Sequence, residues 1–257
     1  MSQYTTLLYH VQDHIGTLTL NRPQSLNSID DAMLAELTDF WGQRRHDLGT
    51  RVIILTGAGE RGFCGGLDIK QAWPRAMASD VPAFYDFQQR LSRLLLYMRQ
   101  CPQPIIAAIH GSAVGGGLSM ALASDVRVVT PQARFAAAYN HIGLGGADMG
   151  SSYFLPRLIG AGRAYEYLLT GDFMDAASAQ ALGLVSRLVE PEQLMSAARE
   201  LAQTMCRKNP LGLRLTKEAI NASLEASGLE QMLVMEDRNQ ALCFATLRYE
   251  GASPKTR

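Results

Sequence analysis

The sequence predicts an α/β fold followed by a helical C-terminal region. Two apolar runs, at 51–56 and 105–110, alternate with longer segments whose apolar residues recur at helical spacing. Each run leads into a glycine-rich turn, at 62–68 and 111–117, after which a helix is expected. Strands that alternate with helices in this way are typical of a parallel sheet with right-handed crossovers.

The strands and helices before residue 130 are predicted from the alternation of apolar and polar residues, from helix-capping residues and from prolines. Residues 4–20 are predicted as two short strands, and Asp30 or Asp31 as the cap of a helix. That helix carries apolar residues at helical spacing, namely Met33, Leu34, Leu37, Phe40 and Trp41. The segment 71–82 contains two prolines and is predicted as irregular, and a helix then runs to residue 100, where further prolines end it. A helix from 117 and a strand at 126–130 follow the second turn.

Beyond residue 160 the pattern becomes helical. The predicted helices are 163–170, 176–182, 191–207, 210–226 and 229–246, with one strand at 184–189. We therefore expect an α/β core over 1–190 and a helical region over 191–257. A single chain would leave two apolar stripes of that region partly bare, so copies of the chain are expected to cover them. These stripes are Leu194, Ala198, Leu201 and Met205, and Leu229, Met232, Leu233 and Met235.

Composition narrows the class of protein. The 257 residues carry 24 basic and 24 acidic side chains, and no basic run or stripe indicates a nucleic-acid partner. The four cysteines are scattered without the spacing of a zinc site or a redox pair, which is typical of a reducing compartment. The sequence shows no basic-then-apolar leader and no apolar run long enough to cross a bilayer. We expect a cytoplasmic protein with no membrane partner and no metal.

The two glycine-rich turns carry the strongest functional signal. Glycine permits positive φ and close backbone approach, and a helix that starts after the turn leaves its first amide hydrogens unpaired. Two such turns side by side would aim two N–H groups at one point, which is the geometry of an oxyanion hole. Either turn alone is common in α/β proteins. Neither ends in the Lys-Ser/Thr of a phosphate loop, and the second has consecutive glycines, so nucleotide binding is disfavoured.

Several stretches of the sequence share a family pattern. They are LTLNRP and LN between 18 and 27, GFCGGLDIK at 62–70, PIIAAIHGSAVGGGLSMALASDVRVV at 104–129, LPRLIG at 155–160 and ALGLV at 181–185. Together they resemble the enoyl-CoA hydratase/isomerase family, also called the crotonase superfamily, over nearly the whole chain. The resemblance implies a core of repeated β-β-α turns wound as a superhelix, and a homotrimer or dimer of trimers. It also implies an acyl-CoA enzyme, with coenzyme A as part of the thioester substrate and no other cofactor.

The resemblance also implies which residues form the acyl-CoA site. The oxyanion amides would be those of Leu67 and Gly116, because removing a proton next to a thioester puts negative charge on the thioester oxygen. Two alternatives stay open, namely Arg22 as a surface ion pair and Asp68 as a helix cap. By resemblance, coenzyme A lies against Gly65, Gly66, Asp68 and Ile69 at its adenine end and against Arg22, Ser25 and Leu26 along its pantetheine arm.

The chain departs from the family pattern at the catalytic acids. Hydratases of the family carry two glutamates, and those positions here hold Ser119 and Tyr139, which are poor bases near neutral pH. With one inserted residue, Asp148 aligns with an aspartate that is catalytic in the family's dienoyl-CoA isomerases and its 4-chlorobenzoyl-CoA dehalogenase. The alternative is that Asp148 caps the following helix. Tyr139, Ser119 or His141 would orient substrate or water.

These residues predict an enzyme that stabilises a thioester enolate and isomerises a double bond. Isomerisation moves one proton and so suits one carboxylate, whereas hydration needs a water held between two groups. A true hydratase that uses other groups and a non-catalytic acyl-CoA-binding relative are the alternatives. Three further polar residues are predicted to be structural: His110, Asp125 and Cys64, the last as a small packing residue.

Overall fold

A computed structural model of the chain describes residues 4–249, with only the backbone described at 248 and 249. Both ends of the chain, 1–3 and 250–257, lie outside the described residues, so the outermost parts of the two predicted regions do as well. In chain order the strands are β1 (Leu7–Gln12), β2 (Ile15–Leu20), β3 (Val52–Gly57), β4 (Gly62–Cys64), β5 (Ile105–Ile109), β6 (Ser112–Val114), β7 (Val126–Val129), β8 (Arg134–Ala136), β9 (Met174–Asp175) and β10 (Arg187–Leu188).

The helices separate or follow these strands. In chain order they are α1 (Asp31–Arg44), α2 (Ile69–Ala78), α3 (Val81–Gln100), α4 (Gly116–Ala123), α5 (Ser151–Ile159), α6 (Ala161–Thr170), α7 (Ala176–Ala181), α8 (Leu194–Cys206), α9 (Pro210–Ser223) and α10 (Leu229–Tyr249). Short 3-10 turns form at Pro23–Ser25, Asn140–Ile142 and Pro191–Gln193. None of the helices in the described part of the chain is both long and apolar enough to span a bilayer.

Two sheets form the framework of the core. The larger has the order β1-β2-β3-β5-β7-β10, with β1 antiparallel to β2 and the other neighbours parallel. The smaller has the order β4-β6-β8-β9, parallel except for β9. Successive strands β3 and β4, β5 and β6, and β7 and β8 go to different sheets, and helices follow each pair. The predicted α/β core of β-β-α turns is confirmed.

Helix α1 shows how sequence pattern and packing agree. Asp30 caps it, because its Oδ1 accepts a hydrogen bond from the Met33 amide at 2.8 Å. The apolar residues of the predicted stripe, Met33, Leu34, Leu37, Phe40 and Trp41, are all buried. They belong to the main hydrophobic cluster, which fills the space between the larger sheet and the helices on one side of it.

The prediction that 71–82 is irregular is wrong for most of that segment. Helix α2 includes Pro74, and α3 begins at Val81 with Asp80 as its cap, 2.9 Å from the Ala83 amide nitrogen. Pro82 lies in the first turn of α3, where the missing N–H has no partner to lose. Pro74 removes one hydrogen bond inside α2, a short helix in which Ala72 is buried and lines a cavity.

The helical region is less separate from the core than its sequence suggests. Helix α8 lies on the opposite face of the larger sheet, where Leu194, Ala198 and Ala202 are buried against Ile15, Val52, Ile54, Ile106, Ala108 and Val128. The expectation that a lone chain leaves the first stripe partly bare is therefore wrong for Leu194 and Ala198, which the chain's own sheet covers, whereas Leu201 and Met205 are half-buried. The second stripe differs: on α10, Met232 is 9% exposed, but Leu229 is 73% and Leu233 46% exposed.

Candidate active site

The smaller sheet brings the two glycine-rich turns together. Strands β4 and β6 pair in parallel, so both turns leave the same edge of the sheet. Gly66 has a φ of +88° and Gly115 one of +51°, which a side chain would disfavour. A Cβ atom at Gly66 would lie 2.7 Å from the Val114 carbonyl oxygen, and one at Gly117 would overlap the carbonyl oxygen of Cys64. Glycine at these positions therefore permits the contact between the turns.

The amides of Leu67 and Gly116 are left free by this arrangement. On either side of Leu67, the Gly66 carbonyl oxygen accepts the Ile29 amide at 2.7 Å, and the Asp68 amide donates to the Ile29 carbonyl oxygen at 2.9 Å. Gly116 is the first residue of α4, where the first amides have no intrahelical partner. Within residues 4–249 neither amide donates a hydrogen bond. Two unpaired N–H groups at adjacent turns can stabilise an oxyanion.

A cavity of about 360 Å³ opens at these two turns. Its walls are the turns, the helices α2 and α3, and the segment 138–149. Most lining side chains are apolar, including Ile69, Ala72, Trp73, Ala76, Met77, Val81, Phe84, Phe87, Leu91, Ile142, Leu144 and Met149. The polar side chains among them are Ser79, Asp80, Gln88, Tyr139 and Asp148. A mostly apolar cavity with a few polar groups is typical of a small-molecule site.

Among the described residues, Asp148 is one of the two carboxylates that line the cavity, the other being Asp80. Its Oδ1 accepts the Met149 amide at 2.7 Å, and its Oδ2 accepts the Gln88 side-chain amide at 3.3 Å. Helix α5 begins after Gly150, which is its N-cap residue and provides no side-chain cap. The alternative of Asp148 as the helix cap is therefore not what the structure shows, because the carboxylate bonds outside α5.

Ser119 and Tyr139 form a neutral pair beside this carboxylate. The Tyr139 hydroxyl lies 3.0 Å from Ser119 Oγ, and both residues are buried. Burial raises the pKa of the Tyr139 phenol far above its usual range, against the smaller lowering effect of the Ser119 hydrogen bond, and the negative charge of Asp148 raises it further. Tyr139 lines the cavity, whereas Ser119 lies behind it. Neither position supplies a base at neutral pH.

Comparisons with known proteins decide the family. The family model described as Enoyl-CoA hydratase/isomerase matches residues 10–253. The chain belongs to this family. It is 39% identical over 237 residues to the Mycobacterium tuberculosis protein named "Probable enoyl-CoA hydratase EchA12", a match that spans 91% of this chain and 83% of that one. It is 36% identical over 255 residues to the Escherichia coli 1,2-epoxyphenylacetyl-CoA isomerase, over 96% of this chain and 94% of the relative.

Solved structures agree with the family. The crystal structure of an enoyl-CoA hydratase/isomerase from Cupriavidus metallidurans superposes with a TM-score of 0.88 at 32% identity, covering 96% of this chain and 91% of the other. The predicted resemblance and the crotonase-like fold are confirmed. The chain is thus an acyl-CoA-processing enzyme of the enoyl-CoA hydratase/isomerase family.

In this family member, the first glycine turn is held by Arg22. Its guanidinium lies 3.1 Å from Asp30 Oδ2 and 3.1 Å from Asp68 Oδ2, and its side chain is only 13% exposed. The ion-pair alternative for Arg22 is therefore what the structure shows, although the pair is largely buried. Asp68 is the N-cap residue of α2 by position, but its carboxylate bonds to Arg22 and accepts no amide of that helix, so the predicted side-chain cap is wrong.

The other positions assigned to coenzyme A surround the same turn. Ser25 ends a 3-10 turn, and Leu26 follows it with a φ of +55°. The Leu26 carbonyl oxygen accepts the Gly65 amide at 2.8 Å, which joins this segment to the glycine turn. Ile69 begins α2, is partly exposed and lines the cavity at the two turns. Within the described part of the chain no cluster of three His, Cys, Asp or Glu side chains could hold a metal ion.

His141 is not brought to the cavity. It lies in the 3-10 turn Asn140–Ile142, is exposed, and its Nε2 is 3.3 Å from the Thr170 carbonyl oxygen. Its neighbour Ile142 lines the cavity instead, because successive residues of such a turn face different directions. His141 is therefore not among the residues that line the cavity.

The residues predicted to be structural have structural contacts. Asp125 Oδ2 lies 2.8 Å from Lys217 Nζ and accepts the Ile105 amide at 2.7 Å. Burial lowers the pKa of His110, which favours its neutral form. Burial also raises the pKa of the Cys64 thiol to about 12, so this cysteine packs as a thiol and is no nucleophile near neutral pH.

Sequence analysis missed two residues of the site. Asn27 is fully buried, and its Nδ2 donates to the carbonyl oxygens of Ala58 (2.9 Å) and Gly62 (3.1 Å), fixing the strand that leads into the first turn. The family motif contains this asparagine, but the motif does not indicate which groups its side chain bonds to. Gln88 gave no signal, because it is one of two adjacent glutamines on a long helix.

Proposed function

We propose that this enzyme moves a carbon–carbon double bond along the acyl chain of a coenzyme A thioester. One observation carries the proposal: the Asp148 carboxylate lines the same cavity as the free amides of Leu67 and Gly116, while Ser119 and Tyr139 form a neutral pair. The proposed roles are an oxyanion hole for the two amides and proton transfer for Asp148.

The chemistry requires few groups. Asp148 takes a proton from a carbon of the unsaturated acyl chain, and the electron pair of that C–H bond delocalises onto the thioester oxygen. Hydrogen bonds from the Leu67 and Gly116 amides stabilise this negative charge, by roughly 3–4 kcal/mol for each donor. The start of α4 adds a favourable dipole field. Asp148 then returns the proton to a different carbon, so the double bond has moved and no atom is gained or lost.

Two alternatives use the same cavity. Hydration would need a water molecule held between two groups, and here the second group would have to be Tyr139 or Ser119. The name of the Thauera aromatica relative, (E)-benzylidenesuccinyl-CoA hydratase, 39% identical over 209 residues, supports keeping hydration as a candidate. The Escherichia coli relative is named as an isomerase of an epoxide, so its name supports an isomerisation in this cavity but not the movement of a double bond in particular. A non-catalytic acyl-CoA-binding protein is the third candidate.

Binding and assembly complete the proposal. Coenzyme A would lie along the first turn, with Gly65, Gly66, Asp68 and Ile69 near its adenine end and with Ser25 and Leu26 beside the pantetheine arm. Arg22 would act there by holding Asp68 in place. We also propose a homotrimer or a dimer of trimers, because α10 leaves Leu229 and Leu233 exposed. We propose no cofactor other than coenzyme A, which is part of the substrate. We also propose that the enzyme is cytoplasmic.

A mass-spectrometric screen of unsaturated acyl-CoAs in deuterated water separates these candidates. Isomerisation should convert 3-enoyl-CoA substrates such as 3-hexenoyl-CoA to 2-enoyl products that gain no atoms, and deuterium replaces hydrogen in these products wherever the proton held by Asp148 exchanges with the solvent. Hydration would instead add the mass of one molecule of deuterated water. If neither change occurs with any acyl-CoA that binds, the catalytic proposal fails and the binding protein remains.

A further inference from the structure

Gln88 is the cavity residue whose contact the proposed chemistry leaves unexplained. It lies on α3, and Phe84 and Leu91, one turn before and after it, line the cavity as well. Its side-chain Nε2 donates to Asp148 Oδ2 at 3.3 Å. The two residues are 60 positions apart, so the contact joins the helix that covers the acyl cavity to the segment that carries the carboxylate.

The two oxygens of the Asp148 carboxylate have different surroundings. Oδ1 accepts the Met149 amide at 2.7 Å, a short bond to the residue's own backbone neighbour. Oδ2 has the longer bond to Gln88, and Gln88 is itself a lining residue. Oδ2 is therefore the more weakly held of the two oxygens, and its partner is a side chain that also lines the cavity.

A glutamine side chain suits a group that alternates between two protonation states. Its amide nitrogen donates to a carboxylate, and its amide oxygen accepts from a carboxylic acid. Within residues 4–249 the Gln88 oxygen has no hydrogen-bond partner, so it is available for that second role. A lysine would favour only the charged form and a leucine neither.

We propose that Gln88 is a positioning residue that aims Asp148 Oδ2 at the acyl chain and partners this oxygen in both of its protonation states. The inference rests on the proposed role of Asp148. In the resting site the Gln88 amide nitrogen donates to Oδ2. After Oδ2 has taken the substrate proton, the terminal amide of Gln88 turns and its oxygen accepts the new O–H, until the proton returns to carbon.

The other titratable groups that face this site are consistent with the assignment. Among the lining residues they are Tyr139 and Asp80. Tyr139 is held neutral by burial, and its hydroxyl bonds to Ser119. Asp80 caps α3, accepting the Ala83 amide at 2.9 Å. Gln88 is the lining side chain that bonds to the Asp148 carboxylate.

Two substitutions of Gln88 test the proposal, each measured as kcat and KM for 3-hexenoyl-CoA against pH. Gln88→Leu removes both hydrogen-bonding roles, and kcat should fall about 10- to 100-fold, the effect of one lost bond to a charged group. Gln88→Glu puts a second carboxylate beside Asp148, and the acidic limb of the kcat profile should move to higher pH because two adjacent negative charges repel. KM should change little, since neither variant alters the oxyanion amides.

Gln89→Leu is the matched control. It changes the same side chain one position later on α3, where the residue is exposed, and it should retain the wild-type profile. If Asp148→Asn abolishes turnover but Gln88→Leu keeps the wild-type kcat and pH profile, this inference is wrong and the role of Asp148 stands. If Asp148→Asn is fully active, or the wild type turns over no acyl-CoA, the proposed function falls and this inference with it.

Discussion

The substitution Asp148→Asn tests the proton-transfer step while leaving the surrounding contacts nearly intact. The new side chain has almost the same shape, and its oxygen can still accept the Met149 amide. Its nitrogen would face Gln88, whose own amide can turn and present its oxygen. What is lost is the capacity to accept a proton from carbon.

The expected magnitudes follow from these contacts. Turnover should fall by about 10²–10⁴-fold, the range for a lost general acid–base group. The free energy of unfolding should change by less than about 1 kcal/mol, because two hydrogen bonds are exchanged for similar ones and α5 has no side-chain cap to lose. Affinity for hexanoyl-CoA, which carries no double bond to move, should stay close to that of the wild type.

The assay measures 3-hexenoyl-CoA turnover by mass spectrometry, thermal unfolding, and hexanoyl-CoA binding by calorimetry. Asp80→Asn is the matched control, since it neutralises another carboxylate of the same cavity and asparagine caps a helix as well as aspartate does. A folded Asp148→Asn enzyme with full turnover would refute the reasoning and direct attention to Tyr139.

Three further predictions concern the amides, the first turn and the helical region. Gly116→Pro removes one oxyanion donor at a helix position that tolerates proline, and it should lower kcat about 10²–10³-fold. Gly116→Ala keeps the N–H and should retain most turnover. Equal losses of kcat in the two variants would indicate that any side chain at this position distorts the turn. Arg22→Ala leaves Asp30 and Asp68 unpaired, so it should lower the melting temperature and weaken the binding of coenzyme A, measured by calorimetry. An unchanged affinity would show that Arg22 has no part in binding. Light scattering at micromolar concentration should show a trimer or hexamer, and Leu233→Asp a smaller species; a wild-type monomer would contradict the assembly.

Much of the site could be predicted because local sequence dictates it. The backbone of the turns requires glycine. Gly66 and Gly115 have positive φ, and the backbone of the first turn approaches Gly117 closely. The cap of α1 and its buried stripe likewise depend on residues a few positions apart. The replacement of the two family glutamates by Ser119 and Tyr139 was visible in the sequence as soon as the family pattern was recognised.

Two of the failures have a common physical cause, since each depended on a partner distant in sequence. The sequence predicts a side-chain cap at Asp68, but in the structure its carboxylate binds Arg22, which lies 46 positions away in the sequence. The sequence predicts that the stripe on α8 contacts another subunit, but in the structure this stripe packs against the larger sheet. The segment 71–82 differs, because Pro82 fits the first turn of α3 and the short helix α2 forms in spite of Pro74.

The sequence by itself determined the family, through its motifs, and the α/β core and the two glycine-rich turns. The core and the turns rest on backbone conformation and hydrophobic periodicity, which are set locally. Only the tertiary structure decided which polar groups meet in that cavity: Asp148 with Gln88, and Tyr139 with Ser119. Hydrogen bonds between side chains act over about 3 Å, so their partners are chosen by how distant segments pack and leave no pattern in the sequence.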